Sequence, residues 1–427
     1  MKIHIAHGRI IDPASQRDAI GNLYIAAGKI VALDHPPAGF VPNRVIDARG
    51  KIVIPGLVDL AARLREPGYE YLATLESEMY AATVGGVTTL SCPPDTDPPL
   101  DEPGLVEMLK HRAHGREQTH VYPLGALTEQ LQGKRLTEMG ELHDAGCIAF
   151  SQANEPLIDT QVLMRALAYA ATFNFPVWLQ PQEAHLARGG VAHDGEVSTR
   201  LGLPSIPTCA ETLALTTILQ LVRETGARVH ICRLSSAPGV ALIRAAKSEG
   251  LPITADISIN HLPLSEHDIG FFNAHCRLVP PLRSLRDRDA LQQGLADGTI
   301  DALVSDHSPV DADAKQLPFE AAEVGASGLE LLLPLTLRWA HHHDIPLSRA
   351  LARVTCDPAR ILGISAGQIT SGAPADLCLF DPDQEWVVTP ATLKSQGKNT
   401  PFLGHPMQGK VSHTLVDGYI IHEDARA

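Results

Sequence analysis

Aromatic residues make up only 4% of the 427 positions, with 3 tryptophans among them. That leaves little for stacking on sugar rings or unpaired bases. Positive charge is also in deficit: 35 lysines and arginines stand against 49 aspartates and glutamates, a formal net charge of −14. An anionic surface disfavours nucleic acid and anionic membranes as partners. No CxxC pair occurs, and Cys92, Cys147, Cys209, Cys232, Cys276, Cys356 and Cys378 fall singly. A disulfide framework and a cysteine-built structural zinc site are therefore not expected. The thiols read as reduced and mostly buried, in a cytoplasmic protein. No apolar run is long enough to span a bilayer, and Met1-Lys2-Ile3-His4-Ile5-Ala6-His7-Gly8 reads as a strand rather than a signal peptide.

What is present is an ordinary globular balance, 44% apolar and 20% charged. Short strand-like segments separated by turn residues fill the first 55 positions, among them Asn22–Leu33 and Arg44–Ile54. The C-terminal stretch has the same character at Ala375–Asp381 and Thr414–Ile421. The two ends, 1–55 and 365–427, are expected to form one composite β domain around a middle of 56–364. That middle alternates, with candidate strands at 57–61, 87–91, 119–123, 147–151, 176–180, 228–233, 252–258 and 301–305. Helical stretches lie between most of them; in 211–223, Leu215, Ile218, Leu219 and Val222 form one stripe. Eight such units point to an α/β fold of the (β/α)8 type, with its site at the C-terminal strand ends. Other doubly wound folds satisfy the pattern as well.

The stretch Pro55-Gly56-Leu57-Val58-Asp59-Leu60-Ala61-Ala62-Arg63-Leu64-Arg65-Glu66-Pro67-Gly68 ends the first of these strands. Further along come Gly146–Ser151, His230-Ile231-Cys232-Arg233, Pro280-Pro281-Leu282-Arg283 and Asp306-His307-Ser308-Pro309. Gly328-Leu329-Glu330, Asp357–Gly363 and Asn399–Gly404 follow. In this order the segments resemble the type I dihydroorotases of the cyclic amidohydrolase superfamily over nearly the whole chain. The resemblance implies a TIM barrel of the metal-dependent hydrolase type with a small β-sandwich domain formed by the two termini. It also implies reversible cyclisation of carbamoyl aspartate at a metal that polarises the amide and lowers the pKa of a bound water.

The residues at the implied ligand positions depart from that family. The paired histidines of the opening motif are Ala61 and Arg63, the bridging position is Gln152, the next histidine is Gln180, and the second histidine of the His-x-x-His strand is Arg233. Only Asp306 remains. Amide oxygens are poor zinc ligands, and two arginines repel a dication by several kcal/mol at short range. The expectation is therefore no metal, the ancestral zinc site lost, and Asp306 paired with Arg63 or Arg233. Of the substrate-binding set, Arg65 is kept and Asp95 replaces an asparagine. His261 is a vestigial contact, and Val279 and Val310 stand where polar groups belong.

The resemblance then implies a pseudoenzyme, a non-catalytic structural chain assembling with the aspartate carbamoyltransferase catalytic chain. A dodecameric hetero-oligomer and self-dimerisation are implied with it. Two alternatives stay open. One is an active cyclic amidohydrolase for a hydantoin- or ureide-like ring, with a rearranged metal site drawn from His230, His261, His307, Asp256 and Asp306. The other is a regulatory module binding an anion through Arg63 and Arg233. His307 reads as part of a hydrogen-bond network. His341-His342-His343 points apart along a helix end and cannot converge, and His111 and His114 read as solvated surface. Cys147 and Cys232 have no assigned base to make them nucleophiles.

Overall fold

Eight short parallel strands form the middle of the chain in the computed structural model, which describes residues 1–114 and 118–424. They are Leu57–Asp59, Val87–Cys92, His120–Pro123, Phe150–Ser151, Val177–Leu179, Val229–Ile231, Ile253–Ser258 and Ala302–Val304. Nearly every position in them is buried, as expected where helices cover one face and the barrel interior the other. The first three pair in sequence, and the last five form a second parallel run. The two runs join because the third strand continues into Gly125–Ala126, which pairs with Phe150–Ser151. At the other seam Ala62 and His307 form a parallel bridge, and Asp59 accepts the Ser305 N–H at 2.9 Å. The closed arrangement is a (β/α)8 barrel.

Side-chain volume sets the approach of the first two strands. A Cβ on Gly56 would meet Thr88 Oγ1 at 2.0 Å, so only glycine allows this contact. The outer helices follow the apolar stripes. Cys209–Thr225 buries Leu215, Ile218, Leu219 and Val222 and stops at Gly226 in the left-handed conformation. Leu75–Val84 begins at Thr74, whose hydroxyl accepts the Ser77 N–H.

A second, eight-stranded sheet combines Lys2–Asp12, Arg17–Ala26, Lys29–Leu33, Arg44–Asp47 and Ile52–Pro55 with Leu377–Val387, Pro406–Val416 and Tyr419–Glu423. Leu377–Val387 runs antiparallel to Ile52–Pro55 and so ties the chain ends together. The strand period of two shares these segments between two cores. Val53, Leu377 and Leu379 pack with Ile3, Ile5 and Leu23, whereas Ile52, Ile54, Cys378 and Phe380 face the barrel core. All seven cysteines are free; five are buried and Cys209 is exposed. Among the described residues no helix is long and apolar enough to cross a membrane.

Candidate active site

The C-terminal strand ends bring together Arg63, Arg65, Asp95, Asn154, Arg233, Asp306 and Ser308 around a cavity of about 120 Å3. Backbone bonds fix the first of these. Ala61 O accepts the His307 N–H at 3.0 Å, and Arg63 N–H donates to His307 O at 2.9 Å. The Arg63 side chain then spreads its donors: Nε to Asp95 Oδ2 at 2.8 Å, Nη1 to Ser308 Oγ at 3.0 Å, and Nη2 to Asn154 Oδ1 at 3.1 Å. Arg233 gives Nη1 to Asp306 Oδ1 at 3.3 Å and Nη2 to Gln180 Oε1 at 2.7 Å and Asn154 Oδ1 at 2.6 Å. Asp306 thus takes Arg233 as its partner, and Arg63 takes Asp95. Arg65 donates Nε to Pro309 O at 2.9 Å, and its Nη atoms make no hydrogen bond among the described residues.

Charge and backbone conformation both mark this cavity. Burial works against an ionised Asp95, but Arg63, Arg65 and Arg233 outweigh it and hold its carboxyl below the usual range. Burial pushes Asp306 up, with Arg233 and Arg63 opposing. The Arg63 guanidinium loses to burial but gains more from Asp95 and Asp306, so its pKa rises. Burial and then Arg63 lower that of Arg65. Four non-glycine residues here have left-handed backbone: Arg65 (φ 62°), Ala153 (52°), Arg233 (53°) and Asp306 (49°). Such conformations cost of order 1–3 kcal/mol each and collect at functional sites.

Other predicted residues lie elsewhere. Gln152 turns from the cavity, accepting from Thr128 Oγ1 at 3.0 Å and donating to Leu131 O at 2.7 Å. Ala61 packs against the apolar cluster of Val58, Leu60 and Trp178. His261 is buried with Nε2 3.2 Å from Pro281 O, and burial lowers its pKa to about 4. Val310 offers its backbone N–H to Asn399 Oδ1. His307 Nδ1 accepts the Gly328 N–H, so Nε2 carries the proton and donates to Glu78 Oε2 at 2.6 Å. Both side chains of that pair are fully buried, and Ser395 Oγ and Gln396 N–H complete the Glu78 carboxylate. His341, His342 and His343 are exposed around the end of helix Leu332–His342, and His111 and His114 are exposed on Pro103–His114.

The side chains at the inferred ligand positions do not fit a cation, because two are buried guanidinium groups and Ala61 has no donor. One position inward the chemistry changes. His230 on strand Val229–Ile231 and Cys232, the residue just past its end, lie two apart and converge with Asp256 on the next strand. One donor atom from each lies within 4.8 Å of the others. This nitrogen, sulfur and oxygen set suits zinc in type. His230 Nε2 now bonds Asp256 Oδ2 at 2.8 Å, while Nδ1 is held by Thr254 Oγ1 at 2.8 Å. Burial and Asp256 raise the Cys232 thiol, so occupancy would require proton loss there. His120, Asp376 and Asp417 form a second such group at the junction with the terminal sheet.

The dihydro-orotase-like family matches residues 50–238, and the amidohydrolase family matches residues 183–421. A dihydroorotase-like protein from Pseudomonas aeruginosa is 44% identical over 423 residues, covering 99% of this chain and 100% of its own. The chain belongs to the dihydroorotase-like amidohydrolases. A dihydroorotase from Syntrophus aciditrophicus is 41% identical over 99% of this chain and 100% of its own. Among solved structures, L-hydantoinase from Arthrobacter aurescens superposes with a TM-score of 0.88 at 25% identity, covering 99% of this chain and 96% of that one. A D-hydantoinase gives 0.86 at 23% identity, covering 99% and 95%, which supports the barrel-plus-sandwich fold.

Two expectations about this dihydroorotase-like chain are corrected. The sequence reading of a pseudoenzyme is overturned by full-length relatives named dihydroorotase, by the L-hydantoinase neighbour, and by a candidate metal group in the barrel. The reading of a lost metal site fails for the same reason. It held His230 and Asp256 only as an alternative set with His261, His307 and Asp306 and left out Cys232, whereas His230, Cys232 and Asp256 are the three that converge.

Proposed function

We propose that this chain is a cyclic amidohydrolase acting on a hydantoin- or ureide-like ring, with its metal centre shifted inward to His230, Cys232 and Asp256. The observation that carries this reading is the convergence of those three donors beside an arginine-rich cavity at the barrel's C-terminal face. When bound, a cation there supplies Lewis-acid polarisation of a ring carbonyl and a water of lowered pKa. The chain's own residues provide the rest. Arg65 presents its unbonded Nη donors to an acidic substituent on the ring. Asp306, on the wall of the cavity, is the carboxylate we assign to take a proton from attacking water and return it to the leaving ring nitrogen.

The test is metal analysis of purified protein combined with hydrolysis of dihydroorotate, hydantoin and dihydrouracil, with and without zinc. Stoichiometric metal with turnover that Asp256→Asn abolishes supports the reading. Absence of both metal and turnover on every ring overturns it.

We further propose that the chain associates with itself and with the aspartate carbamoyltransferase catalytic chain. The favouring observation is full-length likeness, at 44% and 43% identity, to two proteins named dihydroorotase-like. Phe271, 89% exposed and edge-on to Phe272, gives the surface an apolar contact point. Co-expression should yield one stable complex; a transferase that assembles and works unchanged without this chain sinks the idea.

A further inference from the structure

We propose that Arg63 and Arg233 form a binding site for a small oxyanion, carboxylate or phosphate, whose place is held in the free protein by the Asn154 side chain. Both guanidinium groups aim an Nη2 at one atom, Asn154 Oδ1, at 3.1 and 2.6 Å. A neutral amide oxygen between two cations is a weak acceptor for that position. An anionic oxygen makes hydrogen bonds roughly twice as strong and relieves the repulsion between the two charges.

The remaining donors explain why the arginines stay put while the acceptor can leave. Arg63 is anchored by Asp95 and Ser308, and Arg233 by Asp306 and Gln180. Asn154, in contrast, sits just after left-handed Ala153 at the head of an irregular segment, 154–159, that reaches exposed Ile158. The site is therefore preorganised on barrel strand ends, with a loop supplying its stand-in occupant.

Two further observations point to a missing acceptor. Gln180 Oε1 is fixed toward Arg233, which leaves its Nε2 buried without a hydrogen-bond partner. That amide lines a second cavity of about 160 Å3, walled by Gln152, Ala153, Glu155 and Ile158 of the same loop. Asn154 lines the arginine cavity while its chain neighbours Ala153 and Glu155 line this one, so the loop stands between the two. Charge favours the same ligand, since three arginines face only two carboxylates, Asp95 and Asp306.

The inference rests on reading this cavity as a ligand site but not on hydrolysis. Calorimetric titration of the full-length protein with inorganic phosphate and, separately, succinate tests it, in a buffer free of both. Asn154→Ala removes the competing acceptor and should tighten binding about tenfold, the equivalent of roughly 1.4 kcal/mol. Arg233→Gln should weaken it by about the same factor or more. Preference for succinate identifies a carboxylate ligand, and preference for phosphate a phosphoryl ligand. No binding to either Asn154→Ala or the parent protein, or equal affinity in the two, overturns the proposal. Binding without ring hydrolysis leaves it standing while the amidohydrolase reading falls; hydrolysis without an Asn154 effect does the reverse.

Discussion

Arg233 and Asp306 face each other at 3.3 Å across the end of the strand Ile253–Ser258 that separates theirs, both buried and both with left-handed backbone. Each is held in a conformation that neither would adopt cheaply alone. Arg233→Met strips the buried carboxylate of its direct partner and should cost about 3–5 kcal/mol in urea unfolding. Adding Asp306→Asn should restore most of that loss. Unchanged stability in the single variant would show that the pair does not hold the site.

Glu78 and His307 form a second buried pair, and their bond spans helix Leu75–Val84 and the last barrel strand end. Glu78→Gln keeps the shape but turns an acceptor of four donors into a mixed group facing N–H and O–H donors. The expected loss is about 2–3 kcal/mol. Faster amide exchange should appear at Gln396, whose N–H Glu78 accepts, and protection equal to the parent protein's there would refute the clamp.

Glu330 supplies a pH test. Burial raises its carboxyl from 4.5 to about 7, although the Lys394 and Ser395 N–H groups pull the other way. Between pH 4.5 and 7 the folded protein therefore retains a proton that the unfolded chain has released. Stability from this group falls as pH rises through that window, by about 3 kcal/mol when complete. Glu330→Gln should match the parent protein near pH 4.5 and exceed it above pH 7; parallel melting curves at every pH would contradict this.

The inward metal group predicts its own signature. Zinc added to metal-stripped protein should bind in a one-to-one ratio and release protons, because Cys232 must ionise. Cys232→Ser and Asp256→Asn should each weaken binding at least about tenfold. Equal zinc affinity in the parent protein and both variants would place the ion elsewhere, and His120 with Asp376 and Asp417 is the alternative to examine.

The barrel strands were legible because their short apolar runs are set off by turns and helical stripes, and all eight segments contain a strand. The arginine substitutions at positions 63 and 233 were legible too, since a motif frame fixes which strand end each occupies. Pairing was not. Asp95 and Asp306 were both available carboxylates, and the choice between them depends on side-chain reach across the cavity. Asn154 carries no sequence signal at all, being a polar residue in an irregular loop. Glu78 leaves only a faint one, an acid on the buried side of a helix. Gln152 pointed inward by analogy, yet Thr128 and Leu131 offer both ends of its amide a partner outside the cavity.

The seam between the first and last barrel strands runs through the backbone of Ala61, Ala62 and Arg63. Their peptide groups bond to His307 and Ser91 whatever side chains they carry. Architecture and chemistry at this strand end are therefore separable: one is written in main-chain atoms, the other in side chains. A lineage could exchange every donor at positions 61 and 63 without opening the barrel. The same independence makes this strand end a favourable place to install new ligands by substitution, since the scaffold does not consult their identity.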